Sequence, residues 1–204
     1  MPILSDENIR GLVIIEPIFR GIIDQYGLPD DWNREEGFQT MVKMILGQQV
    51  SLDSAVATWN KLVDRLGDVT PETILTLDQA AMKECYVTRQ KTKYLLALSE
   101  AVLDGSLDFQ GLKALPAKVV QAELTKIKGI GPWTAQVYLI IALQSPDIYP
   151  KGDVALNNAV RDLFDVQEKE DIYALSENWA PHRTTASFLL WHQYLTKRGR
   201  VWKG

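Results

Sequence analysis

Apolar residues recur at three- to four-residue spacing along almost the whole chain, and that periodicity constrains the fold more than any other property of the sequence. Windows over residues 9–26, 36–46, 53–66, 71–85, 91–103 and 117–127 each place an apolar stripe along one side of a helix. The punctuation between them is short, with glycines at Gly27, Gly47, Gly67, Gly105, Gly129 and Gly131. No segment alternates apolar and polar residues as a half-buried strand does. The pattern predicts an all-α fold of nine or ten helices. With 204 residues to distribute, the expected arrangement is a single functional unit of two helical lobes with a central cleft. Residues 36–110 form lobe one and 111–204 lobe two, with the N-terminal helix of residues 1–35 packing on the second.

Composition removes several classes of function. The 46% hydrophobic and 24% charged content is that of an ordinary globular chain, and no run approaches the roughly 18 apolar residues of a membrane span. The opening residues lack a basic stretch followed by an apolar one, so they do not read as a signal peptide, and a cytoplasmic protein is expected, nucleoid-associated if the source is bacterial. Cys85 is the single cysteine, which excludes internal disulfides, a four-cysteine zinc site and an iron–sulfur cluster held by this chain's own cysteines. The net charge of −4 argues mildly against a nucleic-acid partner. Its distribution softens that argument: from Asn178 onward there is no acid, while Arg183, Lys197, Arg198, Arg200 and Lys203 are present, and screening over roughly 8–10 Å makes the local patch the relevant quantity.

The segment Leu124-Thr-Lys-Ile-Lys-Gly-Ile-Gly-Pro-Trp-Thr-Ala-Gln136 is the sharpest in the chain. A helix ends near Ile127, two glycines around one apolar residue make a tight hairpin, and Pro132 stands where a new helix starts. Gly129 and Gly131 are expected to take positive φ and to leave the surface clear for an approaching phosphate. The amides at the next helix's N-terminus would point at that anion. Such an arrangement grips a DNA backbone without reading sequence; a plain helical corner inside a core is the other reading of the same residues. The apolar run after Gln136 suits a helix buried on nearly all sides, so the hairpin would be rigidly mounted.

With these residues the chain resembles the helix-hairpin-helix DNA glycosylase superfamily, and within it the 3-methyladenine DNA glycosylase II, or alkylpurine, branch. Four further segments carry the likeness in the family's order. Ile45-Leu-Gly-Gln-Gln-Val-Ser51 resembles the loop that enters the minor groove, and Lys91-Thr-Lys-Tyr-Leu the central helix. Tyr149-Pro-Lys-Gly-Asp153 resembles the loop bearing the catalytic aspartate, and the stretch from Trp179 to Trp191 the closing helix. The resemblance implies base flipping out of double-stranded DNA containing alkylated bases, and hydrolysis of the N-glycosidic bond, with Asp153 as the catalytic carboxylate. In branches that also cut the backbone, the position two residues after the second hairpin glycine is a lysine that attacks the sugar. Here it is Trp133, so the resemblance implies a monofunctional enzyme of base excision repair that leaves an abasic site.

Asp153 is the one acid of its loop, which suits a substrate whose base already carries positive charge and leaves readily, such as a 3-methyladenine- or 7-methylguanine-type lesion. It also precedes an amphipathic helix at the place of an N-cap, a role that would need no chemistry. Trp133 and Trp191 would offer aromatic faces to the electron-poor base, worth about 0.5–2 kcal/mol each, whereas Trp59 and Trp179 read as core residues. Gln49 would fill the gap left in the stack, with Gln48 bonding loop backbone. Lys126, Lys128, Lys151, Thr134 and Arg183, with Gly129 and Gly131, would contact the DNA backbone. The resemblance also implies a structural Na+ or K+ at the hairpin, held by the main-chain carbonyls of Thr125, Ile127 and Gly129, with no other cofactor required and a monomer expected. Three departures stand out. The sequence lacks room for the extra N-terminal β-rich lobe of longer members, Val137 stands where some relatives have an aromatic pocket residue, and Tyr86 replaces a glycine usual before the central helix. Two other activities remain open: a glycosylase for neutral damaged or mispaired bases, and a non-catalytic helix-hairpin-helix DNA-binding module.

Overall fold

The computed structural model describes residues 2–200, and every element among them is helical. In chain order they are α1 (Asp6–Ile15), α2 (Ile18–Tyr26), α3 (Phe38–Gly47), α4 (Leu52–Leu66), α5 (Pro71–Leu75), α6 (Gln79–Glu84) and α7 (Arg89–Leu103). The second half of the chain adds α8 (Phe109–Leu112), α9 (Ala117–Thr125), α10 (Pro132–Ile141), α11 (Val154–Leu163), α12 (Lys169–Glu177) and α13 (Arg183–Thr196). The all-α expectation holds, with thirteen helices among the described residues in place of nine or ten. Two of the periodic windows are each two helices. Pro17, which has no backbone N–H, separates α1 from α2. Asp78 interrupts the window 71–85 by capping α6, its carboxylate accepting from the Ala81 amide at 2.8 Å.

The described chain divides into two compact units, residues 34–138 and residues 1–33 with 139 onward. The boundary falls inside α10 rather than near residue 111, because residues 111–138 pack with the 34–110 segment. Gln48 at the end of α3 bonds the Gly129 carbonyl, the ring of Tyr94 in α7 lies under Gly129, and the Gly37 amide donates to the Tyr138 hydroxyl at 2.8 Å. Burial pushes that hydroxyl up to about 12.

In the unit 34–138, α7 packs against α3, α5 and α6, and Met41, Ile45, Leu46, Leu62, Ile74, Met82, Leu95 and Leu98 are buried. Full burial of each such side chain contributes about 1.5–3 kcal/mol. In the other unit α13 packs against α11, α2 and α1. Its core gathers Phe19, Leu156, Ile172, Trp179 and Leu189, with Phe19 and Trp179 edge-on at 5.2 Å. Trp179 is thus the core residue expected. Trp59 is not: it is half-buried on α4 with the Lys43 ammonium 4.5 Å from its ring centroid.

Candidate active site

The hairpin is built from two glycines with different duties. Gly129 has φ +96°, a left-handed conformation, and a Cβ there would collide with the Tyr94 ring, so it must be glycine on both counts. Gly131 lies outside the positive-φ region and nothing would meet its Cβ within 4 Å. The expected positive φ therefore holds for Gly129 alone. The Gly131 carbonyl accepts from the Ala135 amide at 3.0 Å, which makes it the N-cap of α10, and its exposed face is clear. The amides of the first turn have no carbonyl one turn earlier to receive them, so they face outward as an anion site does. Behind them α10 is rigidly held, with Ala135, Tyr138, Leu139 and Ile140 fully buried.

Several side chains assigned to the DNA backbone are engaged otherwise. Thr134 is only 3% exposed and its hydroxyl accepts from Gln48 at 3.2 Å, so its side chain is turned inward. Lys126 pairs with Glu123 one turn earlier at 2.6 Å. Lys128 is exposed and makes no ion pair among the described residues. Arg183 is the clearest correction. Its guanidinium forks onto Asp147 at 2.7 and 2.9 Å and also reaches Glu177, and the hydrogen bond to Asp147 raises its pKa. A guanidinium already satisfied by two carboxylates is a tether, fixing the start of α13 to the loop before Asp153. Lys151 pairs with the same Glu177 at 3.2 Å and lies over the Tyr173 ring. In the acid-free C-terminal stretch, Lys197 pairs with Asp162 at 2.8 Å and the Arg198 guanidinium stacks on Tyr194; Lys203 lies outside the described residues. The positive face read from composition is therefore partly neutralised by acids from other helices.

Asp153 sits at the N-cap of α11 in extended conformation, its carboxylate accepting from the Leu156 amide at 2.9 Å. It is 7% exposed. The local reason is sequence: Gly152 at φ +90° turns the chain, Asp153 caps, and the amphipathic residues from Val154 continue as helix. Behind it the buried Tyr149 hydroxyl donates to Asn157 at 3.3 Å; burial first, then the Asp153 charge, pushes the Tyr149 hydroxyl well above its usual range. The loop is also stitched to α13, with the Thr184 hydroxyl donating to the Ser145 carbonyl at 2.6 Å and accepting from the Ile148 amide at 3.0 Å. In the same unit Trp191 is half-buried, packed on the core and edge-on to Phe188 at 6.1 Å.

In the unit 34–138, Trp133 in the first turn of α10 is 37% exposed, and Val137 one turn on is buried. Gln49 is exposed with φ +57°, a left-handed conformation uncommon outside glycine. Gln48 beside it bonds backbone, as its side chain suggested, but the backbone of the hairpin: its amide donates to the Gly129 carbonyl at 2.9 Å. Sequence reasoning missed Lys91, whose ammonium donates to the Leu46 carbonyl at 2.6 Å and whose pKa burial lowers. It also missed how Tyr86 takes a place where glycine is usual. Tyr86 has φ +64° and stands just past the end of α6, where its own amide donates to Lys83 and the Val87 amide donates to Met82 at 2.9 Å. That is the Schellman pattern in which glycine is usual. At the hairpin, the Ile127 and Gly129 carbonyls each accept one hydrogen bond, which leaves a lone pair on each for a cation.

A clear-faced hairpin ahead of a buried helix, in an all-helical chain with a carboxylate capping the helix that follows, defines a helix-hairpin-helix protein with a candidate hydrolytic centre. The chain belongs to the HhH-GPD superfamily of base excision DNA repair proteins, whose pattern matches residues 42–182. It is 30% identical over 165 residues to Bacillus subtilis YfjP, an overlap covering 76% of this chain and 58% of that one. It is 28% identical over 193 residues to Schizosaccharomyces pombe DNA-3-methyladenine glycosylase 1, covering 91% and 82% of the two chains. The solved structure of the S. pombe 3-methyladenine DNA glycosylase Mag1 in complex with abasic DNA superposes with a TM-score of 0.82 at 25% identity, over 94% of this chain and 97% of that one.

Proposed function

We propose that the protein is a monofunctional DNA glycosylase of base excision repair, which flips alkylated purines of the 3-methyladenine and 7-methylguanine type from duplex DNA and hydrolyses the N-glycosidic bond. The observation that carries this reading is Asp153, a carboxylate fixed by its own helix and largely withdrawn from water. As the bond between sugar and base breaks, the base departs with the electron pair and the sugar becomes oxocarbenium-like. A preorganised anion beside the sugar stabilises that charge and orients the water that adds to it. A base that is already cationic leaves neutral, so no second acid is required. Trp133, lacking a nucleophile at the position where lyase branches place lysine, supports hydrolysis over Schiff-base chemistry, and the names of the relatives support the alkylpurine substrate.

The remaining roles follow the residues. Gln49 fills the gap in the stack, Trp133 and Trp191 each offer an aromatic face to the base, and the amides from Gly131 onward, with Lys128, hold phosphate. Lys126 and Lys151 reach phosphate only by exchanging Glu123 and Glu177 for it. A Na+ or K+ on the carbonyls of Thr125, Ile127 and Gly129 would add positive charge to the phosphate site. The enzyme acts as a monomer on double-stranded DNA.

The test is to incubate the protein with methylated duplex and to assay free bases by mass spectrometry and strand integrity before and after alkali. Release of methylated purines with alkali-dependent breaks is expected. Breaks without alkali would move the protein to the lyase class, and binding without release would leave a DNA-binding module.

A further inference from the structure

The side chain of Gln48 joins the loop that carries Gln49 to the hairpin that faces phosphate. Its backbone ends α3, with the amide donating to the Ile45 carbonyl at 3.3 Å. Its carboxamide nitrogen spends both hydrogens on the hairpin, one on the Gly129 carbonyl at 2.9 Å and one on the buried Thr134 hydroxyl at 3.2 Å. The carbonyl can only accept, which settles which end of the carboxamide faces the hairpin. Both acceptors are packed in place: Gly129 lies against the Tyr94 ring and Thr134 belongs to the buried α10. Two residues earlier, Lys91 holds the Leu46 carbonyl at 2.6 Å. The residue that follows this doubly anchored stretch is Gln49, exposed and in a left-handed conformation.

We infer that Gln48 is a positioning residue, which transmits the docking of the hairpin on phosphate to the placement of Gln49 in the base stack. The inference rests on the reading of the chain as a flipping glycosylase. Without the strut, Gln49 would sample the ordinary conformations of a loop glutamine and would have to be ordered at the moment of insertion. With it, the left-handed geometry is set before DNA arrives, and the hairpin and the loop approach the duplex as one rigid piece. The hairpin amides that face phosphate do not depend on the strut.

The experiment is a double-mutant cycle on the full chain, with Gln48→Met, which keeps the length and removes the donors, and Gln49→Ala. Single-turnover release of methylated purine, flipping reported by 2-aminopurine fluorescence and affinity for undamaged duplex are measured for each protein. Gln48→Met is expected to slow release and reduce flipping about tenfold, to leave undamaged-duplex affinity within about twofold, and to add nothing in the Gln49→Ala background. Additive losses would mean that Gln48 acts elsewhere. A parallel fall in undamaged-duplex affinity would mean that it only supports the hairpin, and unchanged release would remove it altogether. Thr134→Val, which deletes one acceptor and keeps the other, should show the same pattern at smaller size. A parent protein that releases no base and flips none would instead overturn the glycosylase reading, and the inference with it.

Discussion

The two units meet their tasks by opposite means. The unit 34–138 presents main chain: Gly129, Gln49 and Tyr86 all stand in left-handed conformations, and the groups turned outward are helix-terminal amides. The unit with α11 and α13 presents a side chain, Asp153, in an ordinary extended conformation, and uses hydrogen bonds and ion pairs to hold it. Substitutions that alter backbone freedom should therefore injure the hairpin and the loops at Gln49 and Tyr86, and substitutions that alter charge at constant shape should injure the Asp153 site.

The strongest test of that contrast is Asp153→Asn. Asparagine caps a helix about as well as aspartate, so the melting temperature should stay within a few degrees of the parent, while methylated-purine release falls on the order of 10²-fold or more. A variant that keeps most of its release rate removes Asp153 from the mechanism. Next in size is the hairpin pair. Gly129→Ala adds a Cβ into the Tyr94 ring at φ +96° and should destabilise by about 2–4 kcal/mol. Gly131→Ala meets nothing, so denaturant unfolding should shift by less than about 0.5 kcal/mol, with the loss appearing instead as severalfold weaker binding to undamaged duplex. Equal stabilities for the two variants would erase the distinction between them.

The smallest effect carries the opposite sign. Tyr86→Gly relieves a left-handed non-glycine residue whose side chain is 63% exposed, and should stabilise the protein by about 0.5–1 kcal/mol. A fall in thermal stability would show that the Tyr86 ring holds the loop.

What the sequence disclosed was local. The helical periods, the hairpin and the capping place of Asp153 are fixed within a few residues of chain, where spacing carries the information. What it hid depended on distant partners. Arg183 looked available to phosphate because Asp147, which holds it, lies far back in the sequence. Thr134 looked outward because Gln48, which bonds it, belongs to another helix. The two hairpin glycines looked alike because the Tyr94 ring that tells them apart comes from α7. The break in the window 71–85 was readable in principle from Asp78, a capping residue three positions before Ala81, but the apolar period ran through it.

The ion pairs at Lys126 and Lys151 bear on how the protein should sense salt. Binding to DNA weakens with salt because protein cations replace ions condensed on the phosphates and release them to solution. A cation that arrives already matched to Glu123 or Glu177 must first part from its carboxylate, which then gathers ions of its own from solution. These acids act as built-in counterions. The dependence of duplex affinity on ionic strength should accordingly be shallower than the tally of lysines and arginines in a chain of net charge −4 implies.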